Sequence, residues 1–201
     1  MLSSRVRSAA AVMLIGVAAF ATIGESSEDS GKSANPAPNA GATTGDVAEE
    51  SSDAASSSSE PIPVGTATRV AKGWDVTVNS ANLNADAILA ADNQFSTPEA
   101  GSHFVLVNVT VANNSDEPAM AMTNVSLSML PASGVAIDST FSCVASVPDA
   151  LDISASMQPG AVATGNVCFE VKEAEIATSL LLGAPTFTLD EAEDQRFFAI
   201  Q

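Results

Sequence analysis

The sequence predicts an all-β fold for residues 61–201, an antiparallel β-sandwich that follows a signal peptide and a disordered linker. Apolar and polar residues alternate with a period of two within residues 101–118, where four valines share one face. Seven to nine short runs of this kind are separated by turn residues, and no run beyond residue 60 has the apolar period of a long helix. An eight-stranded closed barrel is the competing architecture.

The strand candidates are justified in chain order by their alternation and by the turns that bound them. Trp74 leads the first candidate, and its phase with Val76 and Val78 directs its ring toward the core. The strand of residues 104–111 ends at a turn of Asn, Ser and Asp residues before Pro118. The later candidates are residues 119–130 (with 121, 123, 125, 127 and 129 on one face), 135–144, 161–172, 179–182, 186–189 and 196–200. Residues 81–91 predict a short helix because they are rich in Ala, and residues 173–182 are ambiguous.

The first 21 residues have the organisation of a signal peptide. Arg5 and Arg7 precede an apolar run, residues 9–21, which ends in the small-residue pattern Ala-Phe-Ala. This run is well short of the roughly 20 residues that cross a bilayer as a helix. We therefore predict cleavage after Ala21 and no membrane span in the mature protein. Retention of the run as a short anchor is the alternative.

Residues 22–60 are predicted to form a disordered linker. From residue 25 onward this segment is rich in Ser, Ala, Gly, Pro and acidic residues, with no aromatic side chain and with Val47 as its only large aliphatic residue. Such a composition buries too little apolar surface to offset the entropy of ordering the chain. The linker would serve either as a spacer that lifts the domain off a cell surface or as an unselected tail.

The charge of the chain excludes several classes of partner. The formal net charge is −17, and only seven residues are Lys or Arg. Nucleic acids and anionic membrane surfaces are bound mainly through Lys and Arg, so neither is expected as a partner.

The two cysteines, Cys143 and Cys168, predict one disulfide formed outside the cytosol. Cys168 has the opposite strand phase from Val167 and Phe169, so we expect it to point away from the core. A bond to Cys143 would then fasten a covering loop to the outer face of the strand. Two free thiols or a redox pair are the alternatives.

Several of these residues together resemble a known bacterial family. The resemblance is carried by Gly-Trp-Asp-Val-Thr-Val at 73–78, Phe-Val-Leu-Val-Asn-Val at 104–109, the Asn-Ser-Pro turn, and the cysteine-containing block that begins at Pro159. The family is that of actinobacterial secreted or lipid-anchored immunoglobulin-like domains of unknown function, which are similar in fold to the mycobacterial secreted immunoprotective antigen. The resemblance covers roughly residues 65–201.

This resemblance implies an extracytoplasmic, immunoglobulin-like antiparallel β-sandwich that has no assigned catalytic residue. It also implies a core position for Trp74 and a disulfide between Cys143 and Cys168. Many members of the family have a lipid-modified cysteine after the apolar run, whereas Gly24 is followed here by Glu25. No lipid can be attached without that thiol, so we expect the protein to be released rather than anchored.

The sequence offers little from which to build an enzyme. His103 is the single histidine, and no P-loop, dinucleotide, metalloprotease or G-x-S-x-G motif is present. A catalytic triad through His103 would need a serine and a carboxylate brought to it by the fold. We therefore predict no catalytic residue, no cofactor and no enzymatic activity.

Three sets of residues were candidates for metal binding. Met120 and Met122, two positions apart on one predicted strand face, would suit Cu(I) together with His103, although Met in strands usually fills core gaps. A calcium-like series lacks the glycine and final glutamate of an EF-hand loop; it comprises Asp75, Asn79, Asn82, Asn84, Asp86 and Asp92. The acidic run of residues 190–194 is typical of a solvated turn. No metal site is predicted.

The sequence therefore predicts an exported, non-enzymatic binding domain that is secreted or associated with the cell envelope. Its partner would be an unidentified cell-surface or extracellular protein or ligand, bound at loops or sheet faces. An extracytoplasmic carrier of copper or of a small ligand is the alternative, and a hydrolase with an unrecognised site is a further one. The partner's identity and the oligomeric state are beyond the sequence.

Overall fold

A computed structural model describes residues 56–139, 143, 146–187 and 194–201 of the chain. The predicted signal peptide, the cleavage site after Ala21 and the linker up to residue 55 lie outside these residues. So does most of the acidic run 190–194. The described end of the linker lies against the domain, since the Phe197 amide donates a hydrogen bond of 2.8 Å to the Ser56 hydroxyl.

Short strands dominate the described residues, with two short α-helices and one 3₁₀ turn between them. The strands are β1 (Thr68–Ala71), β2 (Trp74–Asn82), β3 (Ser102–Asn113), β4 (Ala119–Met120), β5 (Val125–Leu130), β6 (Ile137–Asp138), β7 (Ser156–Met157), β8 (Val162–Lys172), β9 (Leu180–Pro185) and β10 (Arg196–Phe198). The helices are α1 (Asp86–Asp92) and α2 (Glu173–Ile176), and the 3₁₀ turn is Ala121–Thr123. No helix in this part of the protein is both long and apolar enough to cross a bilayer.

The strands form two four-stranded antiparallel sheets that pack on each other. The first has the order β1-β2-β3-β8 and the second β10-β9-β5-β6, while β4 and β7 pair separately. Among the described residues no strand ladder joins the two sheets, so the architecture is a sandwich rather than the alternative barrel. The predicted fold class, an all-β antiparallel β-sandwich, is confirmed.

The core lies between the sheets and is built mainly from valines of the first sheet. Val105, Val107, Val109 and Val111 of β3 all face inward and are buried, as their alternation predicts. Trp74, near the start of the domain, is also buried in this core, together with Phe169 and Phe198 from its C-terminal part. The predicted core position of Trp74 is therefore confirmed.

The predicted single strand 119–130 is wrong in its first half. Val125, Leu127 and Met129 of β5 do face the core. Residues 121–123 instead form the 3₁₀ turn, because the Thr123 hydroxyl and the side-chain amide of Asn124 both donate hydrogen bonds to the Met120 carbonyl. Side chains that bond to a nearby carbonyl in this way compete with the strand ladder.

Two further strand predictions differ from the structure, and two short strands were not predicted. Thr186 and Phe187 lie in a turn, because Pro185 ends β9 and cannot donate to a continuing ladder. The predicted strand 135–144 is reduced to the two residues of β6 in its described part. The sequence also missed β1 and β7, which are too short to show a clear alternation. The helix predicted within residues 81–91 is confirmed as α1.

A second apolar cluster lies on the outer face of the first sheet. It consists of Ala85, Leu89, Phe104, Leu106 and Cys168, with Cys143 and Val147 packed against it. Helix α1 contributes Leu89 as its one buried residue. Cys168 therefore points away from the main core, as its strand phase predicts.

Candidate functional site

An apolar cavity of about 630 Å³ opens at one edge of the sandwich, between the two sheets. We call it the edge cleft. Its described lining comes from β3, β5, β6, β8 and the loops around them, and comprises Val111, Ala121, Met122, Val125, Ser126, Leu127, Asp138, Ser139, Cys143, Val147, Ala150, Leu151, Ile153, Asn166, Val167, Cys168, Thr186 and Phe187. Ligand pockets of proteins commonly have volumes of about 300–1,000 Å³ and apolar walls, so the cleft has the size of a small-molecule site.

The deep walls of the edge cleft are aliphatic. Val125 and Leu127 of β5 face Val111 of β3 and Val167 of β8 across the space between the sheets. These side chains continue the main core toward the edge, where the sheets no longer meet. Such a surface favours an apolar occupant because burying it removes apolar area from water.

The side of the cleft beside β8 is closed by residues 148–153, the covering segment. The Leu151 amide donates to the Asn166 carbonyl at 3.0 Å, and the Asn166 amide donates to the Asp149 carbonyl at 2.8 Å. This close approach depends on Gly165, because a Cβ there would lie 2.5 Å from the Leu151 nitrogen. The glycine thus lets the covering segment pair with the free edge of β8.

Two exposed apolar side chains stand at the mouth of the cleft. Met122 is 45% exposed and Phe187 is 88% exposed. Phe187 has a φ of 65°, a left-handed backbone conformation that is costly for a bulky residue. Its turn is held to the residue before β5 by a 3.1 Å hydrogen bond from the Thr186 amide to the Asn124 carbonyl. The structure therefore holds an aromatic ring in solvent beside an apolar opening.

Polar groups are few among the described residues that line the cleft. Asp138 is the one ionisable side chain, and Ser126, Ser139, Asn166 and Thr186 supply neutral hydrogen-bonding groups. The described lining contains no histidine and no lysine. The arrangement is suited to holding a ligand.

The predicted disulfide is formed between Cys143 and Cys168, whose Cα atoms are 5.8 Å apart. Both cysteines line the edge cleft and also contact the outer-face cluster. The bond fastens residue 143 to β8, so it anchors the loop that precedes the covering segment. Neither cysteine is a free thiol.

His103 lies away from the cleft, at the start of β3. Its Nδ1 is 2.6 Å from Asp86 Oδ2, while Asp86 Oδ1 accepts a 2.8 Å hydrogen bond from the Phe104 amide. The hydrogen bond to Asp86 raises the pKa of His103 above its ordinary value, and the negative charge of Glu173 acts in the same direction. The pair joins α1 to β3.

The fold thus brings a carboxylate to His103 but does not complete a triad. Within the described residues, no serine hydroxyl is hydrogen-bonded to the His103 ring. The His103–Asp86 pair joins α1 to β3, and both of its side chains are partly exposed.

The residues considered for metal binding are not brought together. Met120 lies beyond the far end of β3 from His103, which corresponds to about 30 Å along a strand of that length. Met122 lies in the 3₁₀ turn, so it does not share a strand face with Met120 as predicted. In the calcium-like series, Asp75 binds Arg69 and Asn114, and Asp86 binds His103. In the part of the chain that is described, no three His, Cys, Asp or Glu residues form a group that could hold a metal.

The edge cleft itself was missed by sequence reasoning. Its walls come from five or more separated segments, and aliphatic residues that line it have the same alternation as residues of a closed core. Phe187 offered the one available signal, because an aromatic residue follows closely after Gly183 and Pro185.

Comparisons with known proteins give a family and two solved structures. Residues 64–192 match the family described as "Domain of unknown function (DUF4352)". A conserved hypothetical protein from Bacillus anthracis is 15% identical, with a TM-score of 0.43 over 69% of this chain and 95% of its own. An uncharacterized β-sandwich protein from Clostridium difficile is 10% identical, with a TM-score of 0.43 over 70% of this chain and 95% of its own. No curated protein matches the chain.

Proposed function

We propose that this chain, which belongs to the DUF4352 family of domains of unknown function, is an exported, non-enzymatic module that binds a small apolar ligand in the edge cleft. The family match spans residues 64–192 of its 201 residues. The observation that carries this proposal is the cleft, an apolar cavity of about 630 Å³ that is open to solvent at one edge of the sandwich. Apolar cavities of this kind bind apolar ligands because water inside them finds few hydrogen-bond partners.

The charge of the protein selects the ligand further. Asp138 is the ionisable side chain of the described lining, and the whole chain has a net charge of −17. An anionic ligand would meet repulsion from the field of the whole protein. The ligand is therefore a neutral or cationic apolar molecule.

Export is supported by the sequence and by its cysteines. Residues 9–21 and the two preceding arginines have the pattern of a signal peptide. The Cys143–Cys168 disulfide is of a kind that persists in oxidising compartments. An extracytoplasmic carrier or receptor for an apolar molecule follows from these features together with the cleft.

The copper carrier is not part of the proposal. Copper would require Met120, Met122 and His103 to converge, and the structure puts His103 at the other end of β3. The small-ligand carrier considered beside it is the form that the cleft supports. Phe187 and Met122 at the mouth would cover the exposed part of a bound ligand.

The proposal is tested by titrating the protein with N-phenyl-1-naphthylamine, a neutral apolar fluorophore whose emission rises in apolar surroundings. We expect saturable binding at one site per chain. Ala150→Phe places a large side chain at an exposed position of the cleft lining, and we expect it to weaken binding by at least about tenfold, or about 1.4 kcal/mol.

Ala91→Phe is the matched control, because Ala91 is also exposed but lies on α1, outside the described lining. The near-ultraviolet circular dichroism of the buried Trp74 verifies that each variant is folded. Absence of saturable binding in the parent protein would refute the proposal, as would equal affinity in the two phenylalanine variants.

A further inference from the structure

The outer face of the first sheet bears a regular array of threonines and asparagines. Successive inward valines of β2 and β3 leave the alternate positions facing outward, and the strand register places Thr77, Thr110 and Thr164 opposite one another and Asn108 opposite Asn166. Asn79 lies at the register shift of β2 and joins the second rank through its side-chain hydrogen bond to Asn108. We call the six residues the polar array; they are Thr77, Thr110 and Thr164 in one rank, and Asn79, Asn108 and Asn166 in the other. Each rank crosses β2, β3 and β8.

Five of the six side chains of the array, all except that of Thr77, are held in place by hydrogen bonds to one another. Asn79 donates to Asn108 and to Thr110, both at 2.9 Å, and Asn108 donates to Asn166 at 2.9 Å. Thr110 and Thr164 share a hydrogen bond of 2.8 Å. Because these side chains are already fixed, a ligand that binds them loses little of its binding energy to ordering them.

The array retains hydrogen-bonding capacity toward solvent. Asn79 uses its amide nitrogen for both of its bonds, so its carbonyl oxygen remains free to accept. Asn108 uses one of its two amide hydrogens. The Thr77 hydroxyl has no hydrogen-bond partner within the described residues, and every member of the array is at least partly exposed. The face thus presents fixed donors and acceptors.

The array contains no ionisable side chain and no large apolar one. Protein interfaces usually centre on aromatic, Met and Arg side chains, so the array is a poor match for a protein partner. Nucleic acids and other polyanions are disfavoured by the net charge of −17. A neutral partner that is rich in hydroxyl groups matches both the charge and the hydrogen-bonding pattern.

From this match we infer that the polar array is a binding face for a neutral polysaccharide. Sugar hydroxyls both donate and accept, and so complement the mixed amide and hydroxyl groups of the two ranks. The site is separate from the ligand cleft of the proposed function, apart from Asn166, which borders both. A protein with both sites would hold an apolar ligand while attached to a glycan surface.

The test is co-sedimentation of the purified protein with three insoluble neutral polysaccharides, namely chitin, cellulose and a mixed-linkage α-glucan. We expect binding to at least one of them that is unchanged by 0.5 M NaCl, a concentration at which exposed charge interactions are screened over roughly 4 Å. Asn79→Leu with Thr164→Val removes two exposed polar groups while keeping side-chain size, and should lower the bound fraction at least about fivefold.

Asn84→Leu with Thr178→Val is the matched control, since both residues are exposed and lie outside the array. The parent protein should sediment equally with and without saturating N-phenyl-1-naphthylamine, which separates this inference from the proposed function. The inference is overturned if the parent binds none of the three polysaccharides, if salt abolishes binding, or if the array and control variants bind equally.

Discussion

Asn113 holds the end of β3 to two other segments through one buried side chain. Its amide nitrogen donates to the Glu117 carbonyl at 3.0 Å and to the Met157 carbonyl at 2.9 Å. Its carbonyl oxygen accepts from the Ser115 amide and hydroxyl. The side chain therefore shapes the turn that the sequence predicted here and also ties that turn to β7.

Replacement of Asn113 by Ala should destabilise the protein by about 2–4 kcal/mol, because it removes a buried hydrogen bond to the Met157 carbonyl and a part-buried one to the Glu117 carbonyl. Urea unfolding followed by Trp74 fluorescence measures this change. Asn124→Ala is the control, since the side-chain amide of Asn124 donates to the Met120 carbonyl at an exposed site. Loss of this hydrogen bond should cost under about 0.5 kcal/mol. Equal effects of the two substitutions would contradict the role assigned to Asn113.

The contact between His103 and Asp86 makes the stability of the fold depend on pH near neutrality. The raised pKa of His103 means that the folded protein binds this proton more tightly than the unfolded chain does. The stabilisation is complete below the unfolded value of about 6.5 and is lost as pH rises through the raised folded value. Asp86 and Glu173 are the carboxylates that act on the ring.

Asp86→Asn should therefore lower the His103 pKa, because it removes the hydrogen-bonded negative charge. The chain has one histidine, so NMR can follow the signals of its imidazole ring through a pH titration without residue-specific assignment. Glu175→Gln is the control, since Glu175 is not among the groups that shift the His103 pKa. An unchanged midpoint in Asp86→Asn would show that the pair does not form in solution.

At the scale of elements, β8 connects the core, the disulfide and the cleft. One edge pairs with β3 along its length, and the other receives the covering segment at Asn166. Gly165 makes the second contact possible, since the Leu151 backbone occupies the space of a side chain. The edge of this sheet is thereby covered, which limits pairing with other chains.

Gly165→Ala should push the covering segment off β8 and destabilise the fold by about 1–3 kcal/mol, because its Cβ would lie 2.5 Å from the Leu151 nitrogen. Amide hydrogen exchange should show faster exchange at Leu151 in the variant. Val162→Ala on the same strand is the control, because Val162 is largely exposed. Normal protection of the Leu151 amide in Gly165→Ala would disprove the packing described.

The elements also show what the sequence could and could not predict. Long strands with strict alternation, such as β3 and β8, were located correctly because one buried face fixes the phase of every side chain. The 3₁₀ turn at Ala121–Thr123 was missed because its cause is local side-chain bonding to the Met120 carbonyl. The edge cleft was beyond prediction, since it depends on where two sheets separate.

At the scale of the whole molecule, the disulfide joins the covering loop to the first sheet. Cys143 and Cys168 are 25 residues apart in sequence, and the loop between them contains the covering segment. A crosslink of this span stabilises mainly by restricting the unfolded chain. The same bond keeps part of the cleft wall in position.

Replacing both cysteines by alanine should lower the free energy of unfolding by roughly 3–4 kcal/mol. Reduction of the parent protein by a phosphine should give a similar loss, and the double variant should not respond to the reductant. Chemical denaturation with and without the reductant measures both. A parent protein whose stability is insensitive to reduction would contradict a structural role for the bond.

The central claim is that the edge cleft binds an apolar ligand, and backbone NMR during titration with N-phenyl-1-naphthylamine tests it most directly. We expect changes in backbone chemical shift to be concentrated at the cleft lining, above all at Val125, Leu127, Leu151 and Val167. Asn79 and Thr164 of the polar array should be unaffected. Shifts centred on another surface, or none at saturating probe, would contradict it.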